Sequence, residues 1–243
     1  LKKNPDTRVV AFVHAETSTG VRSDAKEIAE IAKKYGCLVI ADTVTSLVGI
    51  PVLTDEWGLD AVYSGSQKCL SSVAGLSPLT FSDKAIKKIQ SRDTRIQSWF
   101  LDQTLVLDYW SGSGKRSYHH TAPINSIFAL HESLRLACDE TLENLWKRHL
   151  EAHSRLKKGL DNLSFDFVVE KEYRLPQMNS IHIPEGYDDL EIRTKLLNDY
   201  NLEIGAGLGK FSGKIWRIGL MGYNARNESV DYCLNSLKEV LNK

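Results

Sequence analysis

The sequence is poor in cysteine, has no excess of charge of either sign and contains no long apolar run. Each absence narrows what the protein can be. Its four cysteines, Cys37, Cys69, Cys138 and Cys233, stand far apart with no C-x-x-C pair. Neither a disulfide framework nor a zinc site is implied, and a reducing compartment fits best. The 31 basic and 31 acidic side chains cancel to a formal net charge of zero. With no block of Lys and Arg, this balance argues against nucleic acid or an anionic membrane as the main partner, since both are bound through clustered positive charge. A small molecule or another protein is the expected partner. No stretch approaches the roughly 20 apolar residues needed to cross a bilayer, and no charged-then-apolar leader precedes residue 8. The chain therefore reads as soluble and intracellular. Its last residues, "VLNK", are not a peroxisomal address of the S-K-L type, so the cytoplasm is the expected compartment.

What is present is a chain of 243 residues, 42% hydrophobic, enough for a sizeable core in one or two domains. The first half alternates two periods. "RVVAFVH" suits a buried strand and runs into the polar turn "AETSTG". "SDAKEIAEIAKKYG" follows with Ser23 as candidate N-cap, apolar residues at helical spacing, two lysines in the last turn and Gly36 as the stop. "CLVIAD" and "AVYSGS" then read as further buried strands. This order predicts an α/β fold with a mainly parallel sheet flanked by helices, whose ligands gather at the carboxyl ends of the strands. Beyond residue 83 helices take over, and one apolar-periodic stretch from Pro123 to Leu163 is too long for a single helix. A break near Asp139-Glu140 is expected. The division that follows is residues 1–141 as a large domain and 142–243 as a smaller α+β domain, with a helix from Asp188 to Tyr200 and a last one from Glu228.

Two side chains of opposite charge fall at strand ends: Asp42 closes "CLVIAD", and Lys68 lies five residues past "AVY". A lysine amine is nucleophilic only when deprotonated. An aspartate beneath a heteroaromatic ring could hold its nitrogen protonated, as the pyridinium of pyridoxal phosphate requires. The small residues Ser64, Gly65 and Ser66 would let a planar, phosphorylated ligand approach the backbone. An equally simple reading makes Asp42 a turn cap and Lys68 a solvated loop lysine. Arg217, flanked by apolar residues in "KIWRIGL", needs an anionic partner. A substrate carboxylate and an internal salt bridge both satisfy that need. "GAGLG" does not lie between a strand and a helix as a phosphate-cradling loop would, and reads as a mobile loop near a substrate entrance. The adjacent His119 and His120 cannot face one ion from a regular element, so no metal site is expected.

"VHAETSTGV", "IADTVTSLVGIPV", "YSGSQKCL", "SYHHT" and "GKIWRIGLMG", in this order, closely resemble the class V pyridoxal-phosphate aminotransferases of fold type I, and among them the alanine:glyoxylate and serine:pyruvate group. The resemblance runs from about Arg8 to the C-terminus. It implies pyridoxal 5'-phosphate as cofactor and amino acids with 2-oxo acids as substrates. Lys68 matches the lysine that forms the Schiff base and later moves the α-proton. Asp42 matches the partner of the pyridinium nitrogen, and Thr17 a hydroxyl beside the phenolic oxygen. Gln67, assisted by Ser66, matches the phosphate ligand. Tyr118 and Thr121 match positions that reach the phosphate of a neighbouring subunit, which implies a homodimer with shared sites. Arg217 matches the carboxylate-binding arginine.

Two departures from the family stand out. Val73-Ala74-Gly75 replaces the usual proline pair before the glycine, which leaves that loop less rigid. The N-terminal portion of the family has no counterpart in a chain that begins Leu1-Lys2-Lys3. A C-terminal fragment that binds cofactor poorly by itself is the expectation. A non-catalytic remnant is one alternative reading. A cysteine desulfurase is another, although Cys69 and Cys233 suit a mobile nucleophile badly. A serine hydrolase built on Ser64 or Ser66 fails because the S-x-x-K spacing from Lys68 falls on Gly65.

Overall fold

The computed structural model describes residues 1–110 and 117–242. The chain opens with β1 (Val9–Val13), then a short hairpin of β2 (Ala15–Glu16) and β3 (Val21–Arg22), then α1 (Ala25–Lys34) and β4 (Leu38–Asp42). A single-turn α2 (Thr54–Trp57) precedes β5 (Ala61–Tyr63) and β6 (Leu79–Phe81), and the helices α3 (Asp83–Gln90) and α4 (Gln103–Trp110) follow. β1, β4 and β5 pair in parallel, and β6 adds antiparallel at the edge, giving the order β1-β4-β5-β6. One face of this sheet packs Val39, Ala41 and Val62 against Ala29 and Ala32 of α1. The opposite face carries Val9 and Val13, 43% and 38% exposed, and Tyr63, 39% exposed. Helix α1 is capped by Asp24, whose Oδ1 accepts the Glu27 N–H at 3.0 Å. The cap thus falls one residue beyond Ser23, because a carboxylate at that position also favours the helix N-terminus electrostatically.

The long apolar stretch divides into α5 (Ile124–Glu140) and α6 (Leu142–Asn162). The break falls at Thr141, whose φ of 71° lies in the left-handed region that no right-handed helix can continue through. The rest comprises β7 (Met178–His182), α7 (Asp189–Tyr200), β8 (Gly205–Ala206), β9 (Ile215–Gly219) and α8 (Asn227–Val240), with a three-stranded antiparallel sheet in the order β7-β9-β8. "FDFVVEK" forms only an isolated bridge, Phe167 to Ile181, beside that sheet. α6, α7 and α8 cover it, and Leu156, Leu160, Leu196, Leu237 and Trp216 have no exposure. Each such side chain contributes about 1.5–3 kcal/mol by leaving water. Trp216 keeps its one polar atom satisfied: Nε1 donates to Asp189 Oδ1 at 3.0 Å.

Two smaller clusters join the halves. Ala15 and Ile50 meet Leu175 and Met178, while Val48, Cys69 and Leu70 meet Leu145. The loops after β4 and β5 therefore rest on α6 and on the segment entering β7.

Candidate active site at the strand ends

Asp42 is the last residue of β4 and lies in register with Val13 on one side and Tyr63 on the other. All three project from the open face of the sheet, because ladder partners share a face. The carboxylate is held at both oxygens. Oδ1 accepts the Val44 N–H at 2.8 Å, and Oδ2 accepts the Tyr63 hydroxyl at 2.9 Å. Tyr63 was not singled out by sequence reasoning; the signal was its position at the end of the next strand, which a parallel register brings beside Asp42. The bond to Asp42 is the main cause that raises the Tyr63 phenol above its ordinary pKa, and partial burial adds to it.

The loops after β4 and β5 run together. Thr43 donates through Oγ1 to the Tyr63 carbonyl at 2.8 Å, Ser64 Oγ to the Thr43 carbonyl at 3.0 Å, and Cys69 Sγ to the Thr45 carbonyl at 3.4 Å. Gln177, fully buried and also overlooked in the sequence, donates from Nε2 to the same Thr45 carbonyl at 2.9 Å. Lys68 sits within this pair of loops, half-buried, and its ammonium forms no ion pair with another described residue. Its neighbour Gln67 is exposed, and its side-chain amide bonds no other described residue.

The small residues before Lys68 also tie the loop to itself and to its neighbour. Ser64 and Ser66 are buried and spend their hydroxyl protons inside the protein, Ser66 on the Val73 carbonyl at 2.6 Å. A hydroxyl donates once, so Ser66 cannot also donate to a phosphate unless it releases Val73. A Cβ on Gly65 would lie 2.8 Å from Gln67 Oε1 and 3.3 Å from Val44 Cγ1. That glycine makes room for Gln67 to lie over the loop.

Arg217 projects from β9 toward the hairpin after β1. Nε donates to the Ala206 carbonyl at 2.7 Å and Nη1 to the Thr17 carbonyl at 2.9 Å. No carboxylate pairs with it among the described residues. The guanidinium is thus oriented by neutral acceptors and keeps its charge and remaining N–H groups for another anion. "GAGLG" is in part structured: Gly205 and Ala206 form β8, with Gly205 in register with Arg217.

Thr17, Asp42, Gln67, Lys68 and Arg217 are therefore carried on strand ends and loops linked to one another. Tyr118 and Thr121 belong to a different region. They are exposed and share a hydrogen bond at 2.5 Å, and Tyr118 meets the Tyr109 ring edge-on. His119 stacks on Trp99 at 4.0 Å between centroids and bonds its carbonyl at 3.0 Å, while Nδ1 meets His120 Nδ1 at 2.9 Å.

The class-V aminotransferase profile matches residues 2–232. The chain belongs to the class-V aminotransferase family. The alanine–glyoxylate aminotransferase of Rattus norvegicus is 42% identical over 232 residues, covering 95% of this chain and 56% of that protein. The (S)-ureidoglycine–glyoxylate transaminase of Bacillus subtilis is 34% identical over 257 residues, covering 98% and 61%. The crystal structure of an alanine–glyoxylate aminotransferase from Nostoc superposes with a TM-score of 0.92 at 47% identity, covering 96% of this chain and 61% of that one. The chain thus spans little more than half the length of the curated relatives it matches. The fold is the fold type I architecture of pyridoxal-phosphate-dependent aminotransferases, and pyridoxal phosphate is the cofactor of this family.

The residues present suit that cofactor chemically. Asp42 offers a fixed carboxylate on an open face, and among the described residues Lys68 offers an amine with no counter-ion and Gln67 an amide donor with no partner.

Proposed function

We propose that the protein is an aminotransferase that moves an amino group from alanine or serine to glyoxylate or pyruvate, and that Lys68 carries the cofactor as a Schiff base. Bound pyridoxal phosphate supplies the electron sink and holds the amino group between the two half-reactions. Lys68 Nζ would hold the cofactor between turnovers and, once displaced by the amino donor, would move the proton from the substrate α-carbon to the cofactor carbon, C4′, that then keeps the amino group. Asp42 would offer its carboxylate to the ring nitrogen, with Tyr63 and Val44 fixing its orientation. Thr17 offers a hydroxyl that bonds no other described residue, Gln67 an amide toward the phosphate, and Arg217 a guanidinium toward the substrate carboxylate. Tyr118 and Thr121 serve the phosphate of a partner subunit in a homodimer, which accounts for their exposure on a single chain.

The observation that carries this reading is the arrangement of Arg217. A half-buried arginine held, among the described residues, by two backbone carbonyls, one of them that of Thr17 in the hairpin after β1, has the charge and geometry for a carboxylate and none within the described protein. The desulfurase reading is disfavoured by its cysteines: burial pushes the Cys69 and Cys233 thiols up to about 12, far from a nucleophilic thiolate.

The test is turnover of L-alanine and L-serine with glyoxylate and with pyruvate, following both products, in the wild type and in Lys68→Ala and Asp42→Ala. The proposal requires stoichiometric amino acid and 2-oxo acid products that vanish in Lys68→Ala. Equal turnover in that variant contradicts it.

A further inference from the structure

A set of bonds not used above ties the second half of the chain to the loop that carries Lys68. Gly222 lies three residues past the end of β9, the strand bearing Arg217. Its peptide groups are held on both sides by α6. The N–H donates to His149 Nε2 at 3.0 Å, and the carbonyl accepts from Arg148 Nη1 at 2.7 Å. Arg148 is anchored by Glu140 at 2.6 and 3.0 Å and by the Ala225 carbonyl at 3.0 Å. The next N–H along, that of Tyr223, donates to Ser71 Oγ at 2.8 Å, and the Ser71 N–H donates to the Lys68 carbonyl at 2.9 Å. An unbroken series of bonds therefore runs from α6 to Lys68.

The two turns are seated too closely for a side chain between them. Gly222 has φ of 53°, and a Cβ there would lie 1.8 Å from Ser71 Oγ and 2.7 Å from the Cys69 carbonyl. His149 is fully buried, and its Nδ1 lies 2.7 Å from the Leu145 carbonyl. A carbonyl only accepts, so Nδ1 carries the proton and Nε2 is the lone-pair nitrogen that the Gly222 N–H requires. An apolar ring of the same size would fill the space but leave that amide unpaired.

We propose that His149 is a positioning residue: by holding Gly222 it keeps the turn after β9 seated on the Lys68 loop. Resting on the assignments of Lys68 and Arg217 made above, it thereby fixes the amine and the substrate-binding guanidinium relative to one another. A displacement of about 1 Å at such a pair costs on the order of a hundredfold in rate.

Hydrogen exchange of the protein without cofactor, read by mass spectrometry, tests this. Peptides covering residues 66–76 and 217–226 report the two turns. His149→Phe removes the acceptor. Ser71→Ala, at an exposed position, removes the other end of the tie without threatening the fold. Each variant is expected to speed exchange in both peptides by about tenfold while α1 and α7 stay unchanged. His149→Gln, whose amide oxygen reaches the Nε2 position, restores the wild-type rates. Borohydride trapping of pyridoxal phosphate on Lys68 is expected to slow in step. Faster exchange confined to 217–226 would overturn the proposal. If His149→Phe does not fold, unchanged exchange over 66–76 in Ser71→Ala overturns it equally. Coupled exchange in a protein whose Lys68 is never trapped would support the tie and overturn the reading of Lys68.

Discussion

The Tyr63 hydroxyl donates to Asp42 Oδ2 at 2.9 Å between neighbouring parallel strands, so the carboxylate at the head of the sheet is oriented by a group from the next strand. Tyr63→Phe removes one of its two donors. Turnover is expected to fall by about tenfold, with a change in unfolding free energy under about 1 kcal/mol because Tyr63 is exposed. Steady-state rates and urea unfolding measured together check this. A large loss of stability with unchanged rates would make the bond a purely structural one.

Arg217→Lys tests the carboxylate site. A lysine keeps the charge but cannot satisfy the Ala206 and Thr17 carbonyls while presenting two parallel N–H groups to an anion. KM for both the amino acid and the 2-oxo acid is expected to rise by about a hundredfold. Thermal unfolding should move little. Unchanged KM values would remove Arg217 from the substrate site.

Gly222→Ala should be among the most damaging single-methyl changes in the chain. The added carbon meets Ser71 and the Cys69 carbonyl, and φ of 53° is unfavourable for any side chain. A loss of about 2 kcal/mol or more is expected from strain and displaced packing, measurable by denaturant unfolding.

Acid should destabilise the protein well above the carboxylate range. Burial lowers the pKa of His14, His149 and His153, that of His14 from 6.5 to about 4. These rings are neutral in the folded protein, and the unfolded chain binds their protons first. Their contribution is therefore complete above about pH 6.5 and is lost as pH falls toward the folded values. His14 alone accounts for about 3 kcal/mol across that window. Unfolding curves near neutrality and near about pH 5 should differ accordingly, and His14→Phe should flatten the dependence. Equal stability at the two pH values would show that the buried rings bind protons in place.

Thiol chemistry gives a simpler check. Cys138 is exposed, whereas Cys37, Cys69 and Cys233 are buried. One thiol should react rapidly with a disulfide reagent in the native protein and the other three only in denaturant. Rapid reaction of Cys69 would mean that the loop beside Lys68 opens.

Much of this architecture was legible in the sequence because strands β1, β4 and β5 are short apolar runs ended by polar turns, and α1 carries apolar residues at helical spacing between clear start and stop signals. Asp42 and Lys68 were legible because charge at the end of a buried run is conspicuous. Tyr63 and Gln177 were not, since their roles depend on which strands and loops lie side by side. The bond from Ser66 to a carbonyl seven residues away was not legible either, because a small polar residue looks the same in sequence whatever its hydroxyl meets. His149 carried no local signal, because its partner Gly222 is 73 residues distant.

The role of Lys68 is tested most directly by incubating the protein with excess pyridoxal phosphate, reducing with borohydride and mapping the modified lysines by peptide mass. Modification concentrated on Lys68, and abolished in Lys68→Ala with no compensating site, is the predicted result. Modification scattered over exposed lysines, with Lys68 no more reactive than the rest, would contradict it.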